Sequence, residues 1–430
     1  MPGGADPPVV AAEALGASRI RYRTGAVALV GVSRVACGSL FGTAVAVYLG
    51  RTGSPFTVSL AYAAFSFGLL AFAPVWGAVA DITGRRRLIL TATAFLSALA
   101  VAPLAFRVSV PLQIACRGLF AVFTAGFQST MLTLVSESGG EAGRGRSVGF
   151  YNSARSVGSI GGRLFVGYLV GVLVPTDLYL VVVGLGLAGG VATLFLHDPT
   201  SGMGASLTAS RLAAEVRRRA LPRGASRTLF RETGLGWLYV GIALRNVTEK
   251  GFVSVVPVYL VADVGLSEFT MGAVLAVSPA VRIGSMYGFG RLSDAIGRKK
   301  LIVGGLGGSG VQALAAVAAL LPAAALARVG VSGAVFVVHA VTYSALTVGT
   351  VAFVGDVAPD DRESELMGLR STARGLGGVV GPLVVGTLAT WFDYATAFTC
   401  ISVLAFVAAG LVAATLTESL EPIDSPDGGT

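Results

Sequence analysis

Long apolar runs, separated mostly by short polar turns, recur along the whole chain. Each run has about 18 to 25 residues, the length that an α-helix needs to cross the hydrocarbon core of a bilayer. The sequence therefore predicts an all-α polytopic membrane protein with twelve transmembrane helices. We place these helices at about 25–49, 57–80, 88–106, 110–135, 148–172, 177–196, 235–261, 267–290, 300–321, 329–354, 367–391 and 394–416.

The composition excludes a soluble enzyme. Apolar residues make up 54% of the chain, charged residues make up 13%, and the mean hydropathy is +0.76, whereas soluble proteins carry about 25% charged residues. The net charge of +9 lies mostly in short loops, so we attribute it to membrane topology and not to nucleic-acid binding. The cysteines Cys37, Cys116 and Cys400 all fall within apolar runs and predict packing residues, without a metal site or disulfide.

One connection is much longer than the others, and it separates six runs from six. It spans about 197–234 and is rich in arginine. Its stretch 211–219 suits either an amphipathic helix on the membrane surface or a solvated basic linker, and the sequence leaves both open. The predicted units are an irregular tail 1–24, a bundle 25–196, a linker 197–234, a bundle 235–416 and an irregular tail 417–430.

Lysine and arginine are concentrated in the loops on one side of the predicted helices. The loops of the other side contain only Arg51, Arg107 and Arg328. Because positive loops stay in the cytoplasm, we expect a multi-pass protein of the cytoplasmic membrane with both termini cytoplasmic.

Three patterns occur once in each group of six runs. "GAVADITGRRRLIL" (77–90) matches "GRLSDAIGRKKLIV" (290–303), and "NSARSVGSIGGRLFVGYL" (152–169) matches "STARGLGGVVGPLVVGTL" (371–388). Arg34 and Tyr48 in the first run likewise match Arg245 and Tyr259 in the seventh. This regular recurrence predicts a duplicated six-helix unit. Two such bundles, related by pseudo-symmetry, form a substrate path where they meet.

At these motifs the sequence resembles the major facilitator superfamily. The stretches beginning at Gly77 and Gly290 resemble the family's loop motif between helices 2 and 3 and its repeat between helices 8 and 9. "DVAPDDRESELMG" (356–368) resembles the loop between helices 10 and 11. The resemblance covers nearly the entire chain and implies secondary active transport by alternating access, without enzymatic activity or a cofactor. Arg117 in "RGLFAVFTAGF" resembles the fourth-helix motif of proton-coupled drug exporters.

The repeated loop motif predicts a gate. Gly84 and Gly297 permit a sharp reversal at a helix end, and the small Gly77 and Gly290 let neighbouring helices approach closely. Aspartate accepts hydrogen bonds from neighbouring arginines or lies at a helix N-terminus. Lipid anchoring would explain the cations but not the fixed Asp and Gly. The predicted gate residues are Gly77, Asp81, Gly84, Arg85, Arg86, Gly290, Asp294, Gly297, Arg298 and Lys299. Ion pairs that extend the gate are predicted among Glu137, Arg155, Asp356 and Arg374.

Several further charges fall inside predicted helices. Each costs about 2.5–3.5 kcal/mol near the bilayer centre, so it should face a cavity or a partner. The arginines suit an anionic substrate, or they pair with Glu249 and backbone carbonyls. Glu249 is the leading proton-coupling residue, or a structural partner of Arg245, and His339 is a second titratable candidate. The predicted substrate-binding or proton-coupling residues are Arg34, Arg117, Arg245, Glu249, Lys250, Arg282 and His339, and Arg163 also lies in a span.

Three functional hypotheses follow. The first is a secondary transporter, an antiporter that exports small molecules at the expense of a proton gradient. The second is the uptake or exchange of an organic or inorganic anion through an arginine-lined cavity. The third is a membrane sensor that does not transport. The predicted partners are a small-molecule substrate, protons and the lipid bilayer, without nucleic acid, and we expect a monomer.

Overall fold

The computed structural model describes residues 7–138, 140–198, 205–220, 230, 233–359 and 362–419. Helices α1–α6 form the first half and α8–α13 the second half, with α7 in the linker between them. The helices are α1 (Pro7–Thr52), α2 (Pro55–Thr83), α3 (Arg86–Leu99), α4 (Val110–Ser138), α5 (Gly140–Val172), α6 (Pro175–Thr193), α7 (Ala209–Ala220), α8 (Leu235–Ala262), α9 (Glu268–Ile296), α10 (Arg298–Ala318), α11 (Ala325–Val357), α12 (Glu363–Trp391) and α13 (Tyr394–Thr415).

The predicted all-α architecture of twelve long helices is confirmed. Within the described residues, ten helices are long and apolar enough to span a membrane by length and composition alone. The other two long helices, α5 and α8, contain more charge; α8 carries Arg245, Glu249 and Lys250 within six residues. These charges make the two helices less apolar, and they lie beside the cavity described below.

The duplication is visible in how the helices pack. Helix α1 crosses α5 in the first half as α8 crosses α12 in the second. A Cβ at Gly162 would lie 2.7 Å from the carbonyl oxygen of Ala36, and one at Gly381 would lie 2.3 Å from that of Val247. The absent side chains allow the two backbones to approach closely. Both crossings therefore depend on glycine at the same place in the repeat.

The two halves touch closely at one end of the molecule. We call the end with α7 and the α2–α3 and α9–α10 turns the linker side, and the other end the opposite side. On the opposite side, Arg51 forms a 3.0 Å ion pair with Glu268 across the halves. The hydroxyls of Ser59 and Ser254 lie 3.2 Å apart in a buried hydrogen bond. These contacts close the opposite side.

Two segments differ from the expected structure, and the linker takes one of the two forms that the sequence allows. Helix α1 begins at Pro7, so the prediction of an irregular tail 1–24 is wrong from there on; proline is tolerated in a first helical turn, and alanine favours helix. The predicted span 88–106 is interrupted, since α3 ends at Leu99 and a 3₁₀ turn follows at Ala102–Ala105. The linker contains a helix, α7. Residues 199–204 and 420–430 lie outside the described residues.

The neighbouring glycines Gly161 and Gly162 provide a matched test of the crossing. We expect Gly162→Ala to lower stability by about 1–3 kcal/mol because the added methyl overpacks the contact with Ala36. Gly161→Ala should be neutral or stabilising, since no atom lies within 4 Å of its added Cβ. The measurement is the thermal unfolding midpoint of each purified variant in detergent. Equal midpoints would contradict a glycine-dependent crossing.

Candidate functional site

A cavity of about 1000 Å³ lies between the two halves. Its walls come from α2, α4, α5, α7, α8 and α12. Arg218, Arg219 and Glu365 line it near the linker side, while Lys250 lies deeper within the membrane-spanning region. The contacts between the halves close the opposite side, so the cavity faces the linker side.

A second space of about 270 Å³ adjoins the cavity inside the first half. We call it the first-half pocket. Gln128, Arg155 and Lys250 line both spaces, so the pocket is a branch of the cavity. The predicted binding residues Arg34 and Arg117 lie here, and Arg163 does too.

Aromatic rings surround the arginines of the first-half pocket. The guanidinium carbon of Arg117 lies 4.1 Å from the ring centre of Phe65 and 5.1 Å from that of Phe41. Arg34 lies 4.8 Å over Phe127. A Cβ at Gly42 would lie 2.8 Å from Nη2 of Arg117, so glycine at this position gives the guanidinium its space. Ring faces attract the cations without neutralising their charge.

The predicted Arg245–Glu249 pair exists and is buried, with 2% and 3% of the two side chains exposed. Nε of Arg245 also donates to Ser309 at 2.9 Å. The Glu249 carboxylate lies 3.4 Å from Nζ of Lys250, whose side chain is 35% exposed to the cavity. Arg245 therefore lies behind the cavity wall, while Lys250 links Glu249 to the cavity.

His339 is held between two polar side chains. Its Nε2 lies 2.9 Å from Nη2 of Arg282, and its Nδ1 lies 2.9 Å from Oε1 of Gln312. Arginine only donates, so Nε2 accepts and Nδ1–H donates to Gln312. This arrangement requires the neutral imidazole, because a proton on Nε2 would face the guanidinium.

Tyr343 lies at the centre of the second-half cations. Arg282 stacks 3.9 Å over its ring, and Arg245 lies at 5.7 Å. Nη2 of Arg374 donates to its hydroxyl at 3.4 Å. The sequence does not distinguish Tyr343 from the other aromatic residues of the predicted spans. Its contacts with the three arginines depend on the packing of four helices, α8, α9, α11 and α12.

The predicted gate pairs have different partners in this structure. Glu137 and Asp356 do not contact Arg155 and Arg374, which instead line the cavity. The two acids accept from Arg86 and Arg298 respectively, the latter at 3.1 Å. The predicted ion pairs of the two acids with Arg155 and Arg374 are therefore wrong, because these arginines lie too deep in α5 and α12 to reach the helix ends.

Each half has a brace on the linker side, a set of polar contacts around one buried arginine. In the second half, Arg298 donates to Asp294 at 2.6 Å, to Ser293 at 3.0 Å and to Asp356. In the first half, Arg86 contacts Glu137 and lies 3.9 Å from Asp81. These contacts tie the ends of neighbouring helices within the same half.

The arginine that lies in the brace differs by one residue from the one that the alignment of the two motifs predicts. Arg85 aligns with Arg298 in the sequence, but Arg85 is exposed and Arg86 is buried in the brace. Gly84 ends α2 with φ 58°, whereas Gly297 connects α9 to α10 with φ 97° and an extended ψ of 157°. The two glycines thus turn the chain differently. Arg86, one residue after the aligned Arg85, therefore takes the place in the first half that Arg298 has in the second.

Two predicted close-packing glycines have other surroundings. A Cβ at Gly77 would lie 2.5 Å from Nη1 of Arg219, so it makes room for the linker helix. No atom lies within 4 Å of an added Cβ at Gly290. The prediction that both glycines bring transmembrane helices together is therefore wrong.

An acid that was not predicted from the sequence caps the third helix of each half. Glu418 accepts from the backbone N–H of Arg298 at 2.8 Å and of Lys299 at 3.1 Å. Asp198 accepts from the N–H of Arg87 at 2.9 Å. Free N–H groups and the helix dipole favour a carboxylate at such N-termini. An acid shortly after the last helix of each half is the sequence signal.

The linker helix α7 contacts the first brace. Arg219 forms an ion pair with Asp81 and donates to Glu215 at 3.0 Å, and Arg218 donates to the same carboxylate. The hydrogen bond from Arg218, followed by that from Arg219, lowers the pKa of Glu215. The backbone N–H of Ala205 also donates to Ile82 at 2.8 Å. Of the two forms that the sequence allows, this segment is a helix, docked on α2.

This fold, with one cavity between two six-helix halves, defines a multi-pass membrane transporter. The profile of the Major Facilitator Superfamily matches residues 27–340 and 238–429. The chain therefore belongs to the major facilitator superfamily. No curated protein matches the sequence.

Solved transporters share the fold at low sequence identity. The nucleoside transporter NupG superposes with a TM-score of 0.74 at 12% identity, over 91% of this chain and 98% of that chain. A POT family transporter in complex with 5-aminolevulinic acid gives 0.72 at 11%, over 90% and 95%. A bacterial homologue of the lysosomal transporter Spinster, inward-facing and occupied, gives 0.70 at 14%, over 92% and 97%.

The docking of α7 depends on one ion pair that can be removed. We expect Arg219→Ala to broaden the distance distribution between spin labels on Ala213 and on the α2–α3 turn, because the contact with Asp81 is lost. Arg217→Ala should leave it unchanged, since Arg217 is exposed and makes no ion pair in the described chain. The measurement is pulsed electron paramagnetic resonance in detergent. Equal broadening in both variants would show that Arg219 does not hold the helix.

Proposed function

We propose that this protein transports small organic anions across the cytoplasmic membrane by alternating access. The observation that carries the proposal is the charge of the cavity. Among the described residues, one carboxylate, Glu365, lines the cavity and the first-half pocket. Eight cations line them: Arg34, Arg117, Arg155, Arg163, Arg218, Arg219, Lys250 and Arg374.

Most of these charges have no acidic partner. Arg218 and Arg219 pair with acids of the linker and of α2. Of the six cations on transmembrane helices, only Lys250 makes an ion pair in the described chain, and its partner Glu249 is shared with Arg245. Uncompensated charge at membrane depth is costly and marks substrate paths. An anion in the cavity would supply the missing charge, and guanidinium groups match carboxylate and phosphate geometry.

The closed opposite side and the open linker side fit one state of an alternating-access cycle. The braces hold neighbouring helix ends within each half, so each half can move as a unit. Contacts between the halves, such as Arg51 with Glu268, would break when the opposite side opens. Rocking of two repeats around a central site is the common mode of secondary transporters. We place the linker side in the cytoplasm, where its positive loops belong.

Proton coupling is a second part of the proposal, and Glu249 supports it. The carboxylate contacts both Arg245 and Lys250, and Lys250 reaches the cavity. A proton on Glu249 would remove the negative charge beside Lys250 and leave this cation free for an anionic substrate. Proton and anion would then bind together, which favours symport over the antiport and export predicted from the sequence. His339, the second titratable residue predicted from the sequence, contacts Arg282 in its neutral form, and its protonation would require that contact to break.

The test is flux into proteoliposomes that enclose a pH dye, with an imposed proton gradient. The probes are organic dicarboxylates, phosphate and lipophilic cations. We expect dicarboxylate flux with proton movement in the same direction. Transport of lipophilic cations with no dicarboxylate flux would overturn the proposal, whereas opposed proton and substrate movement would replace symport with antiport.

Three variants test the residues. We expect Lys250→Ala and Arg374→Ala to reduce dicarboxylate flux about tenfold or more, the effect of losing a hydrogen bond to a charged group. Glu249→Gln should abolish proton movement. The control is Lys300→Ala, an exposed cation on the linker side, which should transport normally. Normal flux in Lys250→Ala and Arg374→Ala would contradict anion binding in the cavity.

A further inference from the structure

The first-half pocket is built differently from the rest of the cavity. It lies between α1, α2, α4 and α5, with Lys250 and Val253 of α8 completing its wall, and aromatic rings line it together with the arginines. Phe65 and Phe120 stack with their ring centres 6.3 Å apart. Arg117 lies 4.1 Å from the ring centre of Phe65 and 5.6 Å from that of Tyr62. The pocket thus combines flat apolar walls with fixed positive charge.

Buried polar atoms in this pocket have no partner among the described residues. Arg34 and Arg117 are 6% and 4% exposed. Nε and Nη1 of Arg34, Nη1 of Arg117 and the hydroxyl of Thr124 all lack a hydrogen bond there. Buried polar groups are almost always hydrogen-bonded, since an unpaired one costs free energy. The charge of the two arginines is therefore unpaired within the described residues, and an anionic ligand in the adjoining pocket would balance it.

The two arginines lie at different depths. Arg34 stacks on Phe127 and Arg117 lies 5.8 Å from Phe120. The two phenylalanines are seven residues apart on α4, which corresponds to about 10 Å along the helix. The pocket therefore offers one guanidinium near each end, with rings between them.

We infer that the first-half pocket binds an aromatic carboxylate, with an aromatic dicarboxylate filling both ends. This inference names the substrate class and rests on the proposed function. The ring lies against Tyr62 and Phe65, where aromatic faces pack favourably. One carboxylate accepts from Arg117, and a second accepts from Arg34. A cavity of about 150 Å³ already holds benzene, so 270 Å³ leaves room for acidic groups at both ends.

Gly38 provides a way to fill the pocket without disturbing the fold. It lines the pocket, and no atom lies within 4 Å of a Cβ added there. A leucine at this position would project into the space that the ligand needs. Gly184 is a matched control in the same half, since an added Cβ there also meets no atom within 4 Å, and the residue is exposed.

The first experiment measures binding of terephthalate to the purified full-length protein by isothermal titration calorimetry. We expect Gly38→Leu to weaken binding about tenfold or more, the loss that follows when a bond to a charged group is blocked. Gly184→Leu should bind like the unmodified protein. Arg117→Lys keeps the charge but loses the planar fork, and it should also weaken binding. Unchanged affinity in Gly38→Leu and Arg117→Lys would overturn the site.

The second experiment tests the aromatic part of the inference. Adipate carries the same charge as terephthalate on a flexible aliphatic chain. Phe65→Leu should reduce terephthalate affinity more than adipate affinity, because it removes the stacked ring. Phe67→Leu, on the same helix with 58% of the side chain exposed, should change neither. Equal effects of Phe65→Leu on the affinities for both anions would overturn the aromatic assignment. The same would follow if inorganic phosphate and adipate displaced bound terephthalate equally well.

Flux measurements on the same variants separate this inference from the proposed function. If Gly38→Leu abolishes terephthalate binding but no anion crosses the membrane in the unmodified protein, the site is supported and anion transport is overturned. Flux of other dicarboxylates with no terephthalate binding would support anion transport and overturn the site. Terephthalate flux lost in Gly38→Leu and retained in Gly184→Leu would support both.

Discussion

The structure depends on how positive charge is accommodated inside a membrane protein. A guanidinium at membrane depth needs an acid, a carbonyl, a ring face or water, and the helices are arranged to provide these. Arg245 has Glu249, Arg163 donates to the carbonyl of Leu275 at 2.6 Å, and Arg117 lies among aromatic rings. Most of the cations that remain without an acid, among them Arg34, Arg155 and Arg374, line the cavity or the first-half pocket. The cavity is therefore the part of the molecule where positive charge stays unbalanced.

The contacts on the two sides of the molecule connect different sets of helices. On the linker side, the braces connect helices of the same half, and each is completed by an acid that caps a helix N-terminus. On the opposite side, contacts such as Ser59 with Ser254 connect the two halves directly. The first kind of contact can persist while the halves move, whereas the second kind has to break. In the proposed alternating-access cycle, this division of contacts would keep each half rigid while the interface between the halves moves.

Much of this fold could be predicted from the sequence because the dominant forces act locally. Apolar length predicts a membrane helix, and the spacing of Arg245 and Glu249 places them on one helix face. The partners of Glu137 and Asp356 could not be predicted, since they depend on how two glycine turns set the register of the next helix. The contact of His339 with Gln312 and the capping by Glu418 join distant parts of the chain. No local pattern specifies these contacts, although the acids recur in both halves.

The capping acids also impose an order on biosynthesis. The N-terminus of α3 is capped by Asp198, which the ribosome adds before the first half of the chain is complete. The N-terminus of α10 must wait for Glu418, which follows the last transmembrane helix. Since domains generally fold from the N-terminus during synthesis, the first bundle can mature while the second is still being inserted. The second bundle keeps an uncapped helix end until residue Glu418 has been added.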